Sequence, residues 1–346
     1  MKSLIYGYGK TGKSFERFLI KKKLKYDIFD NNISEFYVEY DLKKYSQILC
    51  SPGIPKNQFK KINSQNKNVF TDLDIFFKED NSIKIGITGT NRKSTTAYHL
   101  FQLFEYFEPA NLIGNIGNPM LDAINNRKYS IIELSSFQLD KMIENKLDFG
   151  ILLNLDIDHL DYHGNEQSYK QSKRKILLAK KNISYETNPY KLFEWVTGRI
   201  PKKIIFKDLP YRYERIARNI INDSKSTNFH SLNYALKNAN NEFGIKNYVL
   251  IICGDPKKEN YKKIDVTGPE SILIYGDHAE RIDKCIQHKN KKFFRSLEEA
   301  IKSIKKTGLK TNILFSPGYP SGSDYTDFEQ RGYLFNKTIK KFLYED

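Results

Sequence analysis

The sequence predicts an α/β protein of several domains, in which parallel sheets are covered by helices. Short apolar runs of strand length alternate with helical patterns along the chain, and this alternation is typical of parallel sheets. Its 346 residues exceed one typical domain, and 39% hydrophobic with 28% charged residues indicates a globular chain. We therefore expect three domains, over residues 1–79, 80–208 and 209–346.

The first predicted domain begins with a strand, a glycine-rich turn and a helix. The turn GYGKTG spaces Gly7, Gly9 and Gly12 as G-x-G-x-x-G, where backbone amides and the helix N-terminus can receive a phosphate. The same spacing also occurs in tight turns that bind no phosphate, where glycine is needed only because a side chain would clash. The charged stretch FKEDNS, residues 77–82, predicts a linker to a second sheet. The segments in order are KSLIYGYG (strand), TGKSFERFLIKK (helix), KYDIFD (strand), YSQILCSPGIP and KNVFTDLDIFF.

The second predicted domain opens with a strand, a loop and a helix in the order of a phosphate-binding loop. SIKIGIT is the strand, and STTAYHLFQLFEYF repeats apolar residues at helical intervals. In the loop, Lys93 suits the phosphate-neutralising lysine, and Ser94 and Thr95 suit the hydroxyl that holds magnesium. The strict template G-x-x-x-x-G-K-[ST] is not met, because Ile87 and Arg92 stand at its glycine positions.

Two further strands of this domain, YSIIELS and DFGILLNL, run out into polar residues at their carboxyl ends, where active sites of parallel sheets collect. After the second strand, DIDHLDYH contains three aspartates and two histidines within eight residues. Either this is an acidic surface turn or it holds a divalent metal; its position favours a metal ligand at His159. We expect His163 to face solvent.

The third predicted domain is again α/β. Its strands lie in ARNIINDSKSTN, NYVLIICGD, ESILIYGD and TNILFSPGYPSGSD, and its helices in SLEEAIKSIKKTG and TDFEQRGYLFNKTIKKFL. Capping boxes are predicted at both helix starts, Ser296 with Glu299 and Thr326 with Glu329.

Composition excludes several classes of protein. No apolar run of about 18 residues could span a bilayer, and MKSLIYGYGK lacks the pattern of a signal peptide, so we expect a cytoplasmic protein. Cys50, Cys253 and Cys285 are far apart without C-x-x-C spacing, which favours reduced thiols over disulfides or zinc. The net charge of +16 is spread along the chain without a nucleic-acid-binding motif, and suits a polyanionic small substrate.

A series of motifs resembles the Mur ligase family nearly from end to end. The motifs, in order, are TGTNRKSTT, GNIGNP, ELSSFQLD, NLDIDHLDYHG, YKQSKRKIL, INDSKSTN, SPGYPSGSD and FEQRG. SPGIP together with ELSSFQLD resembles the D-glutamate-adding members in particular. The resemblance implies a Rossmann-like UDP-binding domain, a central P-loop ATPase-like parallel sheet, here shortened, and a Rossmann-like C-terminal domain.

The resemblance also implies a reaction and its partners. D-Glutamate would be ligated to UDP-N-acetylmuramoyl-L-alanine through an acyl phosphate, with hydrolysis of ATP, in peptidoglycan precursor synthesis. Two magnesium ions and lysines would offset the crowded negative charge. We expect a monomer that binds neither nucleic acid nor membrane.

Site residues follow from the resemblance by matching motif to motif. The catalytic residues would be Lys93, His159 and Lys173, and the magnesium ligands Ser94, Glu133, His159 and Lys173, the last carbamylated. ATP contacts would be Gly89, Thr90, Asn91, Arg92, Lys93, Ser94, Thr95, Arg212, Asp255 and Lys257. UDP-substrate contacts would be Lys10, Thr11, Asp30, Asn31, Ser51, Gly53, Asn115 and Ser135. D-Glutamate contacts would be His159, Ser321, Gly322 and Phe328. Without the resemblance, Lys173 reads as an exposed charge on a basic helix.

Two departures from the family pattern leave alternatives open. Arg92 replaces a glycine, which predicts slower or weaker use of ATP. The segment after Lys173 is shortened and lacks the family's His-Asn pair, so either Asn188 or other groups compensate, or ATP binding is damaged. A catalytically impaired relative that still binds the UDP-sugar peptide is one alternative. Another is a Mur-type amide ligase with a different amino acid, or one that extends folate with glutamate.

The first domain by itself also suits a nicotinamide dehydrogenase. Asp30 lies where a dinucleotide-binding domain places its ribose-binding acid. The second phosphate loop, and the lack of a recognisable hydride-transfer site in the sequence, favour the ligase.

Overall fold

A computed structural model describes residues 2–36, 41–156, 158–256, 263–305 and 311–344. The chain forms two compact units, Met1–Lys207 and Asp208–Asp346. The boundary lies one residue before the predicted start of the third domain. The first unit contains two separate sheets, and its division into two domains stays a prediction. The predicted α/β class with parallel sheets is confirmed.

The first sheet has four parallel strands in the order β2-β1-β3-β4. Helices form the crossovers from the first to the second strand and from the third to the fourth strand of the chain, as is usual for parallel pairing. The elements are β1 Ser3–Tyr6, α1 Lys10–Lys21, β2 Tyr26–Phe29, β3 Gln47–Cys50, α2 Lys56–Gln65, β4 Val69–Phe70 and α3 Asp72–Glu79.

The second sheet has five parallel strands in the order β6-β7-β5-β8-β9, so β5 lies in the middle and the loops after β5, β7 and β8 share one edge. The elements are β5 Ile83–Thr88, α4 Lys93–Glu105, β6 Ala110–Gly114, β7 Tyr129–Glu133, α5 Ser136–Lys141, β8 Phe149–Leu152, α6 Leu160–His163, α7 Glu166–Arg174, β9 Lys181–Ser184 and α8 Pro189–Thr197.

The two sheets of the first unit share a hydrophobic core. Phe15 and Leu19 of α1 and Phe76 of α3 pack in the same cluster as Met120 and Leu134, which belong to the second sheet and its loops. Because residues of both sheets bury their apolar surface in this one cluster, the hydrophobic effect holds the two sheets together.

The predicted linker at 77–82 is partly wrong. Its first three residues end α3, and Asp80 is buried and paired with Lys84 at 3.3 Å. The Asp80 carboxylate also accepts hydrogen bonds from the backbone amides of Ser82 and Asn125. A buried charge needs such partners. The connection between the sheets is therefore a packed, hydrogen-bonded turn.

The second unit contains a six-stranded sheet in the order β10-β11-β17-β12-β14-β16, with only the β10-β11 pair antiparallel, and a parallel β13-β15 pair. The elements are β10 Glu214–Ala217, β11 Ile220–Asn222, α9 Phe229–Phe243, β12 Tyr248–Ile252, β13 Ile264–Asp265, β14 Ser271–Tyr275, α10 Ala279–Cys285, β15 Ile286–Gln287, β16 Lys291–Phe294, α11 Leu297–Lys305, β17 Asn312–Phe315 and α12 Phe328–Tyr344.

The predicted capping boxes are only partly correct. At α11, the backbone amide of Glu299 donates to Ser296 Oγ at 3.3 Å, as predicted, but the Glu299 carboxylate accepts from the amide of Arg295. At α12, the cap is Asp327, whose carboxylate accepts from the amide of Gln330 at 2.8 Å. The box with Thr326 is wrong by one residue, because an aspartate one position later competes for the same role.

Two composition-based expectations can be compared with the structure. The three cysteines are buried free thiols. Within the described ranges, no helix has the length and apolar character needed to cross a bilayer.

Candidate active site

The predicted phosphate loop, residues 89–95, is held against the chain that follows β8. The side-chain amide of Asn91 donates to Asp156 Oδ2 at 3.2 Å. The Thr90 hydroxyl donates to the Asp156 carbonyl at 3.2 Å and lies 2.9 Å from the Tyr169 hydroxyl. These contacts hold the loop at the carboxyl edge of the second sheet, where ligands of such sheets bind.

Arg92 adopts a left-handed backbone conformation, with φ 64° and ψ 4°. This is the region that glycine enters without penalty and that costs other residues about 1–2 kcal/mol. Arg92 therefore adopts a backbone conformation that favours glycine, and its side chain is exposed.

Helix α4 begins immediately after Arg92 and directs its N-terminus at the loop. Lys93 Nζ donates to the Thr90 carbonyl at 3.0 Å, and Ser94 is buried within the first turn. Thr95 is half-buried, and a Cβ added to Gly89 would lie 3.0 Å from Leu153 Cβ. A helix N-terminus with free amides and a nearby lysine is a general anion-binding arrangement.

Glu133 ends β7 and is completely buried. Its Oε1 accepts a hydrogen bond from Asn115 Nδ2 at 3.0 Å, whereas its Oε2 has no hydrogen-bond partner among the described residues. A buried carboxylate oxygen without a partner is costly, by about 1–3 kcal/mol or more. Such an atom fits a bound cation as its missing partner.

Lys173 is buried on α7, so its interpretation as an exposed surface charge is wrong. Nζ donates to the Gly89 carbonyl at 2.7 Å and lies 5.0 Å from the centre of the Tyr169 ring. Burial, assisted by the nearby Lys93 cation, lowers the pKa of Lys173 to about 7, against the opposite influence of Asp158 and Glu133. The lysine thus contacts the phosphate loop directly.

His159 lies in the turn before α6, in a left-handed conformation with φ 50°. Its ring lies 4.9 Å from that of Phe137 and 6.4 Å from that of Tyr169, and Nε2 is 3.5 Å from Asp158 Oδ2. The prediction that His163 faces solvent is wrong. His163 is 5% exposed, because Phe137 stacks on it and Tyr169 packs against its edge.

The four predicted catalytic and metal-binding side chains Lys93, Glu133, His159 and Lys173 therefore lie in one region. Lys173 interacts electrostatically with Lys93 and Glu133, and its neighbour Tyr169 contacts His159. The region is the shared carboxyl edge of β5, β7 and β8, covered by α7.

The donor set fits magnesium better than a transition metal. In the described part of the chain, no three His, Cys, Asp or Glu side chains form a cluster that could hold a metal. Magnesium usually keeps several waters and binds through one or two carboxylates together with substrate phosphates. Glu133 and the hydroxyl of Ser94 are donors of that kind.

The predicted UDP contacts lie at the carboxyl edge of the first sheet. Lys10 and Thr11 begin α1, and the Asp30 carboxylate accepts from the backbone amides of Tyr8 at 2.7 Å and Asn32 at 2.8 Å. Asp30 therefore joins the loops that follow β1 and β2. The neighbouring Asn31 is exposed.

The glycine-rich turn is tight at two of its positions. Gly7 has φ 91°, and a Cβ on Gly12 would lie 2.2 Å from the Gly7 carbonyl oxygen. The same carbonyl accepts from the Ser51 hydroxyl at 2.7 Å. Only glycine fits this close approach of α1 to the turn.

A cleft of about 710 Å³ lies between the two sheets of the first unit. Gly53 is the predicted UDP-substrate contact that lines it. Aromatic rings from the second sheet form one wall, and the start of α2 contributes two lysines to the other. The lining residues are Pro52, Gly53, Pro55, Lys56, Asn57, Lys60, Phe137 and Tyr162.

Two predicted substrate contacts, Asn115 and Ser135, form hydrogen bonds within the protein. Asn115 donates to Glu133, as described above, and its backbone amide donates to the Glu133 carbonyl at 2.9 Å. Ser135 caps α5 in a reciprocal box with Gln138. Both residues border the site, and their contact with a substrate stays a prediction.

In the second unit, the structure brings Asp255 and Gly322 together. Gly322 has φ 68°, and a Cβ added to it would lie 3.0 Å from Asp255 Cβ. Asp255 Oδ1 accepts from Arg281 at 3.4 Å, and Ser321 precedes Gly322 in the same turn. The predicted ATP contact Lys257 lies outside the described residues.

Phe328 is the first residue of α12, and the Nζ of Lys225 lies 3.8 Å from the centre of its ring. Arg212 lies near the buried carboxyl group of Asp223, whose pKa it helps to lower against the larger effect of burial. Asp255 follows β12, and Ser321 and Gly322 follow β17. Arg212 precedes β10, whose antiparallel pairing with β11 places it at the same edge of the sheet.

Several residues of the site were missed by the sequence argument. Tyr169 contacts both Thr90 and Lys173, and its spacing of four residues from Lys173 on one helix face could have indicated it. Phe137 and Lys56 line the cleft but carry no local signal, because their position depends on how the two sheets pack.

Comparisons with known proteins agree with this geometry. Residues 87–249 match the family model of the Mur ligase middle domain. A UDP-N-acetylmuramoylalanine–D-glutamate ligase of Francisella philomiragia is 28% identical over 404 aligned residues, covering 98% of this chain and 96% of that protein. A protein of the same name from Francisella tularensis is also 28% identical, covering 98% and 95%. Both alignments are longer than the 346 residues of this chain, so these relatives contain segments that it lacks.

Solved structures share the fold. The MurF ligase from Thermotoga maritima in complex with ADP superposes with a TM-score of 0.56 at 13% identity, over 98% of this chain and 95% of that one. A pseudomurein peptide ligase type C from Methanothermus fervidus gives a TM-score of 0.52 at 15% identity over 99% of both chains. The resemblance to Mur ligases inferred from motifs is confirmed. Residues 87–249 of the chain match the model of the Mur ligase middle domain, and nearly its whole length is similar to UDP-N-acetylmuramoylalanine–D-glutamate ligases.

Proposed function

We propose that this chain is an ATP-dependent amide ligase of peptidoglycan precursor synthesis, which joins the amine of D-glutamate to the carboxylate of UDP-N-acetylmuramoyl-L-alanine. The full-length similarity to relatives of that name supports the choice of substrates. One structural neighbour, the MurF ligase from Thermotoga maritima, is in complex with ADP, which supports ATP as the energy source.

One observation carries the proposal. The side chains of Lys93, Glu133, His159 and Lys173 come from three strand ends and a helix, yet they meet beside the phosphate loop. Phosphoryl transfer relies on positioning and on electrostatic stabilisation of the transferred group, and this arrangement offers both.

The chemistry requires activation of a carboxylate, because a carboxylate is a poor electrophile. The carboxylate oxygen attacks the γ-phosphorus of ATP, the bond to ADP breaks, and an acyl phosphate forms. The amine of D-glutamate then adds to the acyl carbon and loses a proton. The resulting tetrahedral intermediate collapses to the amide and expels inorganic phosphate.

The residues of the first unit divide this work. The amides of the loop at 89–95 and the N-terminus of α4 bind the ATP phosphates, and Lys93 neutralises charge on the transferred group. The UDP part binds at the turn with Lys10 and Thr11. The muramoyl part passes through the cleft of about 710 Å³ towards the loop.

The magnesium ions of the proposed reaction have suitable donors in this chain. Magnesium bound beside the phosphates would supply positive charge that stabilises the transferred phosphoryl group. Glu133 Oε2 and the Ser94 hydroxyl would hold one ion, and His159 with carbamylated Lys173 would hold the other. Carbamylation requires a neutral amine, and the lowered pKa of buried Lys173 is in accord with that requirement.

In the second unit, the expected ATP contacts are Arg212, Asp255 and Lys257. Ser321, Gly322 and Phe328 are the expected contacts of D-glutamate, a role that the resemblance also gives to His159. These roles come from the resemblance, and the proximity of Asp255 to Gly322 is compatible with them.

A second candidate function is a catalytically impaired relative that binds the UDP-sugar peptide. The left-handed backbone of Arg92 favours it, because this residue stands within the phosphate loop in a conformation suited to glycine. The chain is also shorter than its alignment with relatives.

Phosphate release distinguishes these functions. Purified protein would be incubated with UDP-N-acetylmuramoyl-L-alanine, ATP and magnesium, with D-glutamate, L-glutamate, lysine or no amino acid. We expect release that depends on D-glutamate and a product whose mass matches the amide. Tight binding of the UDP substrate without phosphate release would identify the impaired relative, and activity with another amino acid alone would identify a different ligase.

Replacing one buried carboxylate tests the proposed magnesium site. Glu133→Gln keeps the size of the side chain and an acceptor for Asn115 but removes the charge. We expect turnover to fall by about 100-fold or more, since one electrostatic contact to the transition state is worth this much. Glu144→Gln, at an exposed carboxylate, is the matched control and should retain full turnover. Equal turnover of both variants would contradict the assignment.

A further inference from the structure

We propose that Lys141 is a positioning residue, which holds the loop at residues 51–55 against the second sheet and so fixes the wall of the cleft that receives the UDP substrate. The inference rests on the proposed function, because it concerns the place where that substrate would bind. Lys141 directly follows the motif ELSSFQLD, and neither that motif nor the resemblance supplies a role for it.

A hydrogen bond from Lys141 connects elements of the two sheets. Lys141 is the last residue of α5, beside the second sheet, and is 5% exposed. Its Nζ donates to the Pro52 carbonyl at 2.5 Å. Pro52 belongs to the loop between β3 and α2 of the first sheet, 89 residues away in the chain. Because Pro52 also lines the cleft of about 710 Å³, this bond fixes part of the cleft wall.

Other contacts hold the beginning of this loop and the residue that follows it. The hydroxyl of Ser51, the first residue of the loop, donates to the Gly7 carbonyl at 2.7 Å. Directly after the loop, Nζ of Lys56 lies 3.1 Å from the carboxylate of Asp140. Lys141 therefore holds the middle of the loop, between these two attachments.

The ammonium group of Lys141 is buried against two aromatic rings. It lies 5.1 Å from the centre of the Tyr162 ring and 5.6 Å from that of the Phe59 ring, both within the range of a cation-π contact. Burial of a charge is costly, and it lowers the pKa of Lys141 to about 8. The titratable side chains that face Lys141 are those of Cys50, Lys56, Asp72, Asp140 and Tyr162.

This environment predicts how the loop responds to pH. Protonated Lys141 donates a charge-assisted hydrogen bond to the Pro52 carbonyl, which is stronger than a bond from a neutral amine. As the pH rises through about 8, Lys141 loses its proton and this bond weakens. The diphosphate and the carboxylate of the UDP substrate stay ionised in this range. The affinity for that substrate should therefore fall above pH 8, an effect that a lysine with a merely structural role would not produce.

The test measures binding of UDP-N-acetylmuramoyl-L-alanine by calorimetry, without ATP, at pH 7 and pH 9. Lys141→Met keeps the length of the side chain but removes its charge and its N–H donors. Lys141→Arg keeps a positive charge at both pH values. Lys146→Met, which removes an exposed lysine after the end of α5, is the matched control.

We expect Lys141→Met to raise Kd for the UDP substrate by about 10-fold at pH 7, as the loss of one hydrogen bond from a charged donor predicts. Kd of the unaltered chain should rise by about 5-fold between pH 7 and pH 9, because most of Lys141 loses its proton in this interval. Kd of Lys141→Met and of Lys141→Arg should stay constant over the same interval, and Lys146→Met should match the unaltered chain. In phosphate release at pH 7, Lys141→Met should raise KM for the UDP substrate and leave kcat and KM for ATP unchanged.

The same Kd at pH 7 for Lys141→Met and the unaltered chain, or the same pH dependence in both, would overturn the inference. If Lys141→Met does not fold, Lys141→Arg decides, because a Kd that rises with pH as in the unaltered chain would refute the role of Lys141. If the UDP substrate binds but no amino acid supports phosphate release, the proposed function fails, and the binding measurements still decide the inference.

A chain that does not bind the UDP substrate would contradict the proposed function, and hydrogen exchange then decides the inference. The backbone amides of Ser51 and Ile54 donate to the carbonyls of Tyr6 and Ser51. Faster exchange of both amides in Lys141→Met than in Lys146→Met would support the role of Lys141 in holding the loop. Equal exchange in the two variants would refute it.

Discussion

Arg92 shows how a single backbone angle links sequence to activity. Its φ of 64° is the conformation that a glycine supplies to a phosphate loop, so the fold has imposed that angle on an arginine. Thr90 holds the loop on one side of Arg92, and the first turn of α4 holds it on the other. These contacts keep the backbone at Arg92 in the left-handed conformation. The strain therefore lies inside the candidate active site.

We predict that Arg92→Gly stabilises the chain by about 0.5–1 kcal/mol. Relief of left-handed strain contributes about 1–2 kcal/mol, and the larger backbone entropy lost by glycine offsets about half of it. Turnover of ATP should rise in the same variant. Urea denaturation and phosphate release would measure the two effects. Arg92→Ala, which keeps the strain but removes the cation, is the control; unchanged turnover in Arg92→Gly would show that arginine carries no penalty.

Asp223 is a buried carboxyl group in the second unit, 8% exposed. Burial raises its pKa to about 7, although Ser316 donates to Oδ2 at 2.9 Å and the amide of Tyr213 donates to Oδ1 at 3.0 Å. In the unfolded chain the pKa would be the ordinary 3.8. Between these values the folded state binds more protons than the unfolded state, so this group contributes stability that is complete below pH about 4 and is lost as the pH rises through about 7.

We predict that Asp223→Asn removes this part of the pH dependence. Relative to the variant, the unaltered chain should lose about 3 kcal/mol of unfolding free energy between pH 4 and pH 7, because most of the shift from 3.8 to about 7 takes effect in this interval. Urea denaturation of both proteins at pH 4, 5.5 and 7 would measure the difference, which cancels the titration of other groups. A difference that does not vary with pH would contradict the raised pKa.

At the scale of elements, the site depends on how α7 lies against the second sheet. Tyr169 and Lys173 are buried on one face of α7, and the turn at Lys175–Leu178 that follows this helix packs against β8. Gly150 of β8 makes this approach possible. A Cβ there would lie 2.2 Å from the Ile176 carbonyl oxygen and 2.9 Å from Ala179 Cβ.

We predict that Gly150→Ala destabilises the chain by about 2–3 kcal/mol, because the added methyl must push the backbone of the turn away from the sheet. Activity should fall as well, since the displaced turn follows directly after Lys173. Thermal and urea unfolding would measure the stability. Gly9→Ala is the stability control, because its added Cβ meets nothing within 4 Å. Unfolding of Gly150→Ala identical to that of the unaltered chain would show that the turn adapts.

The elements themselves were largely predictable from the sequence. Strands β1, β5, β7, β12 and β14 and helices α1, α4 and α12 lie where apolar periodicity placed them, because each signal comes from residues close together in the chain. The misplaced cap at α12 and the partly wrong linker at 77–82 have a different cause. At α12, Asp327 caps the helix in place of Thr326. In the segment 77–82, Asp80 is buried in an ion pair with Lys84, so this charged stretch is not an exposed linker.

For the whole molecule, the two units have separate cores. The clusters of the first unit contain residues between Leu4 and Phe206, and those of the second unit residues between Tyr213 and Ile339. A unit with its own buried core generally folds by itself.

We predict that residues 208–346, produced alone, fold cooperatively. The six-stranded sheet keeps apolar clusters on both faces within these residues, so its core remains complete without the first unit. A single sigmoidal urea transition by circular dichroism, together with dispersed amide signals in NMR, would confirm this. Gradual unfolding with poor dispersion would show that the second unit needs the first.

The sequence by itself determined the α/β class, the order of the elements, the phosphate loop and the set of motifs that resemble Mur ligases. These features are local. Strand, helix and turn patterns depend on residues close together in the chain, and each motif is recognised from consecutive residues. Tertiary structure alone decided that Lys173 and His163 are buried, that Glu133 keeps a carboxylate oxygen without a partner among the described residues, and that Lys225 lies on Phe328. Each of these depends on strand order and on packing between segments far apart in the chain, which no short stretch of sequence records.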